Sequence, residues 1–122
     1  MKKLVSPLVL LSSTVLVSVA GHGHHAFSAN YDPNLTGTIE GIVVEVFWAN
    51  PHVRYFVEVV NENGETEMWD VESSNIGMMT AEGWSSETIE VGDHIRVSGG
   101  LGRDGLRRLA LDLDSLEVLN DR

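Results

Sequence analysis

"TGTIEGIVVEVFWAN", residues 36–50, decides the fold. The stretch is long, β-branched and has a period of two, with Ile42, Val44, Val46 and Trp48 on one face and Val43, Glu45 and Phe47 on the other. Gly37 and Gly41 within it signal a bulge or sharp coiling, as a strand needs when it bends to serve two sheets. Asn50-Pro51 ends it, because proline cannot donate to a ladder and asparagine favours turns.

Downstream, "HVRYFVEVV" (52–60) turns Val53, Tyr55, Val57 and Val59 inward and Arg54 and Glu58 outward. Asn63-Gly64 makes a hairpin, since both residues tolerate positive φ, and "ETEMWDVE" (65–72) returns as the third strand. "SSNIGMMTAEGW" (73–84) is the helical passage, capped by Ser74 or Asn75 and stopped by Gly83. Val91-Gly92-Asp93 turns into a fourth strand, "HIRVSGG" (94–100). "GGLGRDG" (99–105) reads as a glycine-rich loop with no helix to cradle a phosphate, and "LRRLALDLDSLEVL" (106–119) as one fifth strand. In that strand Leu109, Leu111 and Leu113 alternate with Ala110, Asp112 and Asp114. Three strands, a short helix and two strands predict a mostly β fold: a small five-stranded OB-like barrel with one short helix between strands 3 and 4. An open sandwich of the same strands is the competing arrangement, and closure is favoured because it removes exposed edges.

Upstream, residues 1–20 read as a signal peptide: Lys2 and Lys3, an apolar run from Leu4 to Val19, then Ser18-Val19-Ala20 as the cleavage site. The run is short for ~30 Å of hydrocarbon and lacks a basic flank on its far side, so no membrane anchor is expected after cleavage. The expected organisation is a signal peptide at 1–20, a histidine-rich arm at 21–34 and the barrel at 35–122, in a protein exported to the periplasm or secreted. The chain has no cysteine, which excludes a lipoprotein anchor and a disulfide framework. Losing Lys2 and Lys3 moves the formal charge from −10 to −12, a surface that repels phosphate backbones, so no nucleic-acid partner is expected.

These landmarks resemble a family of small exported bacterial proteins of unknown function. The resemblance is carried by His24-His25-Ala26-Phe27, Phe47-Trp48-Ala49-Asn50-Pro51-His52, Met68-Trp69-Asp70-Val71-Glu72, Gly83-Trp84 and Val91-Gly92-Asp93, in that order. In the family a His-His-Ser-Phe opening follows the signal peptide and a Trp-Thr-Asn-Pro-His corner follows later. The resemblance implies a small β-barrel and an exported location, and no activity. This chain departs from the pattern by adding Gly21-His22-Gly23 before the opening and by placing Asn75-Ile76-Gly77-Met78-Met79 where the family often has a proline and basic residues.

Chemistry therefore rests on the residues. "GHGHHAFSANYD" (21–32) holds three of the five histidines, His22, His24 and His25, where processing would create one more nitrogen. Imidazole is the commonest protein ligand for copper, zinc and nickel, and a freed α-amine beside it adds a second donor. Cleavage after Ala20 would let the amine, an amide nitrogen and His22 chelate Cu(II). Cleavage after Gly21 or Gly23 would make His22 or His24 the first residue, gripping copper by amine and imidazole. His52, fixed in direction by Pro51 and sharing a face with Arg54, is the expected partner ligand, with a structural hydrogen-bonded histidine as the plainer alternative. Phe27 and Tyr31 would pin the arm. Trp48, Met78, Met79 and Trp84 are soft-ligand types, but adjacent methionines on a helix diverge by about 100°, so core filling is the better reading for most of them. Asp112 and Asp114 share a predicted strand face without a nucleophile nearby. "NENGETE" lacks the ligand spacing of a calcium loop.

Three functions follow in order of weight. The first is a non-catalytic metal-binding module, copper favoured over zinc or nickel. The second is a metal-independent interaction module gripping a ligand or periplasmic partner through Trp48, Asn50 and Tyr55. The third is a copper oxidase-like enzyme built on the terminal brace.

Overall fold

The computed structural model describes residues 29–120. β1 (Tyr31–Phe47), β2 (Arg54–Val60) and β3 (Thr66–Glu72) form an antiparallel meander. A short helix, α1 (Ile76–Ala81), follows, then β4 (His94–Gly102), β5 (Arg108–Leu111) and β6 (Glu117–Val118). The neighbour order β1-β2-β3-β5-β4, with β4 pairing back to β1, closes a ring of five strands. The β3–β5 pair is parallel, and β6 is an added pair on β4. The expected OB-like barrel, with its helix between the third and fourth strands, is the observed architecture. Among the described residues no helix is long and apolar enough to cross a membrane.

β1 earns its length by serving both sides of the ring: Ile42–Phe47 pair with β2, and Thr36–Ile42 pair with β4. Gly41 sits at the changeover, where a Cβ would collide with the Glu58 carbonyl. The bulge lies just beyond it, between Val43 and Glu45, with Val44 the extra residue. That corrects the expected alternation. Val43 points into the core while Ile42 and Val44 are exposed, and only past the bulge do Val46 and Trp48 pack against the core. One inserted residue exchanges the faces of everything beyond it. The backbone of Val43 is held by both partners of the 92–93 turn, donating to Asp93 O at 2.9 Å and accepting from Gly92 N at 2.7 Å.

The core combines Val53, Tyr55 and Val57 from the second stretch with Val71, Ile95, Val97 and Leu109, all fully buried. Burying each such aliphatic side chain stabilises by roughly 1.5–3 kcal/mol before entropy is set against it. α1 plugs one end. Asn75 caps it by accepting from Met78 N at 2.9 Å, Gly83 turns the chain away at φ 86°, and Met79 and Trp84 enter the core.

Three further expectations change. In the β2–β3 turn only Gly64 takes a positive φ; Asn61 stabilises the turn instead, its side-chain oxygen accepting from the backbone of Asn63 and Glu65. Most of the expected glycine-rich loop is strand, since β4 runs to Gly102 and only Arg103–Gly105 form a 3-10 turn. The expected fifth strand is broken after Leu111: Asp112 caps a 3-10 turn, Leu113–Ser115, by accepting from Asp114 N. Asp112 and Asp114 therefore share a turn, not a strand face. An aspartate preferring its own backbone over the ladder ends the strand.

Candidate functional site

The Asn50–His52 corner and the start of α1 are joined by a set of short hydrogen bonds. Val53 N donates to Ser74 O at 2.9 Å and Ser73 N to Val53 O at 2.8 Å. Asn50 Oδ1 accepts from Ile76 N at 2.9 Å, so the corner itself caps the helix. His52 Nδ1 lies 3.1 Å from Ser73 O. A carbonyl only accepts, so Nδ1 carries the proton, and Nε2 is left as the acceptor or ligand nitrogen. Nε2 makes no hydrogen bond among the described residues. His52 precedes β2 and does not share a strand face with Arg54.

His52 lines a cavity of about 270 Å³ with Glu72, Ser73, Asn75, Met78 and Ala110 among its walls. That volume is at the lower end of ordinary small-molecule sites, which run from about 300 to 1,000 Å³. A second depression of about 530 Å³, lined by Tyr31, Asp32 and Gly100, shares the Ala110–Leu111 wall with the first. Tyr31 therefore lies one wall away from the cavity of His52.

Tyr31 is buried, and Arg103 Nη2 donates to its carbonyl at 3.1 Å. Burial first, and then the nearby Glu72 carboxylate, push its phenol up to about 12. Tyr31 thus anchors the chain beside Glu72, which also walls the His52 cavity. Next to it lies an ion-pair cluster in which Asp70 accepts from Arg54 Nε at 3.0 Å and from Arg108 Nη2 at 3.0 Å, with Glu72 at 3.9 Å from Arg108.

His22, His24, His25 and Phe27 lie outside the described residues. Among the described residues no group of three or more His, Asp or Glu converges as a metal site. His94, at the start of β4, sits 3.7 Å from Glu40 and away from the corner. Of the interaction surface expected at Trp48, Asn50 and Tyr55, only Asn50 is exposed. Tyr55 is fully buried against Trp84, Trp48 is partly buried on the core, and Asn50 is engaged with α1. Tyr55 belongs to the inward set of β2, so period two alone removes it from any surface.

Sequence reasoning groups Met78 with Trp48, Met79 and Trp84, for most of which core filling is the expectation, and the structure separates it from them. Met78 is 58% exposed and beside the cavity, whereas Met79 is fully buried. The signal was the 100° between neighbours on a helix: once Met79 turns inward, Met78 must turn out.

Comparison with known proteins supports the fold and leaves the chemistry to these residues. The model of a family of unknown function (DUF6152) matches residues 12–110, in keeping with the resemblance read from the His-His-Ala-Phe opening and the Asn-Pro-His corner. No curated protein sequence matches. The crystal structure of Rim1, a mitochondrial single-stranded DNA binding protein from S. cerevisiae, is similar at a TM-score of 0.52 and 13% identity, covering 72% of this chain and 96% of that one. At that identity the likeness shows the OB fold alone.

Proposed function

The chain belongs to this family of unknown function, and on that premise we propose that it is an exported, non-catalytic OB-fold protein that binds a transition metal, copper before zinc or nickel. The ligands are the processed amino terminus with His22, His24 or His25, completed by His52. The observation that carries this reading is the shared wall between the depression where Tyr31 enters and the cavity of His52. His24 and His25 stand seven and six residues before Tyr31, a reach of about 20 Å when extended. The farthest route around the ring from β1 to β2, four strand spacings, is about 19 Å. An arm pinned at Tyr31 can bring an imidazole to Nε2 of His52. Among the described residues no three His, Asp or Glu converge, and the arm is proposed to bring the further nitrogens.

Native mass spectrometry of the untagged protein, recovered from its exported compartment, tests this. The expected spectrum shows a chain starting at Gly21, His22 or His24 with one copper. Replacing His24, His25 and His52 together by alanine is expected to abolish copper retention and leave the β-rich circular dichroism intact. A correctly cut chain that stays metal-free with copper supplied overturns the reading. In that case the metal-independent interaction module takes its place, on the outer sheet face where Ile42, Phe47 and Met68 are exposed.

A further inference from the structure

We infer that His52 and Met78 form a nitrogen–sulfur donor pair that makes the copper site selective for Cu(I). The inference rests on the copper reading above and specifies which oxidation state the site holds. It follows from which donors of the cavity are already engaged. The Asn75 side chain caps α1 through Met78 N at 2.9 Å. The Ser73 hydroxyl donates to Met79 Sδ at 2.9 Å. Glu72 faces Arg108 at 3.9 Å, which offsets its charge. Beside the hard oxygen of the Ser74 hydroxyl, what is left is the Nε2 of a ring whose other nitrogen is held by Ser73 O, and the thioether of a methionine that is 58% exposed.

Exposure of that thioether is the telling feature, because it contributes little packing where it stands. The two donors are also positioned by rigid neighbours. Pro51 and the Ser73 carbonyl orient His52, and the Asn75 cap fixes the first turn of α1 that carries Met78. Thioether sulfur is a soft ligand and selects Cu(I), whereas Cu(II) and nickel(II) favour nitrogen and oxygen sets.

The test uses the full mature chain and two affinity titrations, one against a chromophoric Cu(I) chelator under reductant and one against a Cu(II) chelator in air. Met78→Leu preserves volume and helix propensity while removing the sulfur. The expected result is a Cu(I) affinity at least about 10-fold weaker with Cu(II) affinity unchanged, and loss of copper–sulfur scattering from the X-ray absorption spectrum. Stoichiometric Cu(I) binding that is as tight in Met78→Leu as in the wild type overturns the inference and leaves an all-nitrogen copper site. Absence of copper binding in either oxidation state, in the wild type itself, overturns the copper reading beneath it.

Discussion

At the scale of single residues, Tyr55 buries a polar atom at a cost. Its ring is fully buried, with the Trp84 ring centroid 6.4 Å away, and its hydroxyl has no hydrogen-bond partner among the described residues. A buried hydroxyl left unsatisfied costs about 1–3 kcal/mol, and an apolar replacement of the same shape removes that cost. Tyr55→Phe is therefore expected to raise the unfolding free energy by about 1 kcal/mol in chemical denaturation. The same substitution reports on alkaline stability. Burial pushes the Tyr55 phenol up to about 12, as it does Tyr31, against about 10 in an unfolded chain. The folded protein keeps these protons while the unfolded chain sheds them. Their contribution is therefore complete below pH 10 and is lost progressively between pH 10 and 12. Urea midpoints across that range should fall less steeply in Tyr55→Phe than in the wild type. A destabilised variant with an unchanged alkaline slope would show that the hydroxyl is well solvated or bonded.

At the scale of elements, the outer edges of β2, β3 and β5 are held by Asp70, whose carboxylate receives Arg54 from one neighbouring strand and Arg108 from the other. Its side chain is only 16% exposed, so each of these bonds is partly shielded from water. Asp70→Asn removes the charge and leaves two guanidinium groups facing one another. A cost of about 2–3 kcal/mol is expected, seen as a lower denaturation midpoint that high salt partly restores. A variant within 0.5 kcal/mol of wild type would mean the pairs are as weak as exposed ones. None of this cluster was legible beforehand, because a strand register has to be known before Asp70 and Arg108 become neighbours. Elements with local signatures were legible: the β2 alternation, the Asn75 cap, the Gly83 stop and the Val91-Gly92-Asp93 turn. Those that failed depend on distant partners. The bulge at Val44 answers to β2 and to the 92–93 turn, and β4 continues through Gly99–Gly102 because β1 and β5 supply ladders there. The candidate site divides the same way. His52 announced itself at a Pro-His corner and Met78 as a soft-ligand type, while the Ser73 partner and the cavity follow from joining that corner to the start of α1.

At the scale of the whole molecule, β4 turns a meander into a ring, and Gly99 is where it joins β5. Gly99 pairs with Gly37 on one side and Leu111 on the other, and a Cβ there would run into the backbone carbonyl of Ala110. Backbone cannot yield as a flexible side chain does, so Gly99→Ala must push the strands apart. About 1–3 kcal/mol of destabilisation is expected. It should appear first as lost amide-exchange protection in β5, with β1–β3 protection largely kept, because the meander retains its own ladders. Gly100 is the internal control. Its Cβ would sit 3.7 Å from the Ala110 side chain, an ordinary contact, and Gly100→Ala should remain within about 0.5 kcal/mol of wild type. If both substitutions behave alike, close approach at the joint is not what glycine supplies. The outcome bears on function as well, because the same β5 segment carries the Ala110–Leu111 wall between Tyr31 and His52. Under the proposed copper reading, a ring opened at Gly99 alters the distance the arm would cover. Gly99→Ala should therefore weaken copper retention though it touches no ligand, and Gly100→Ala should not.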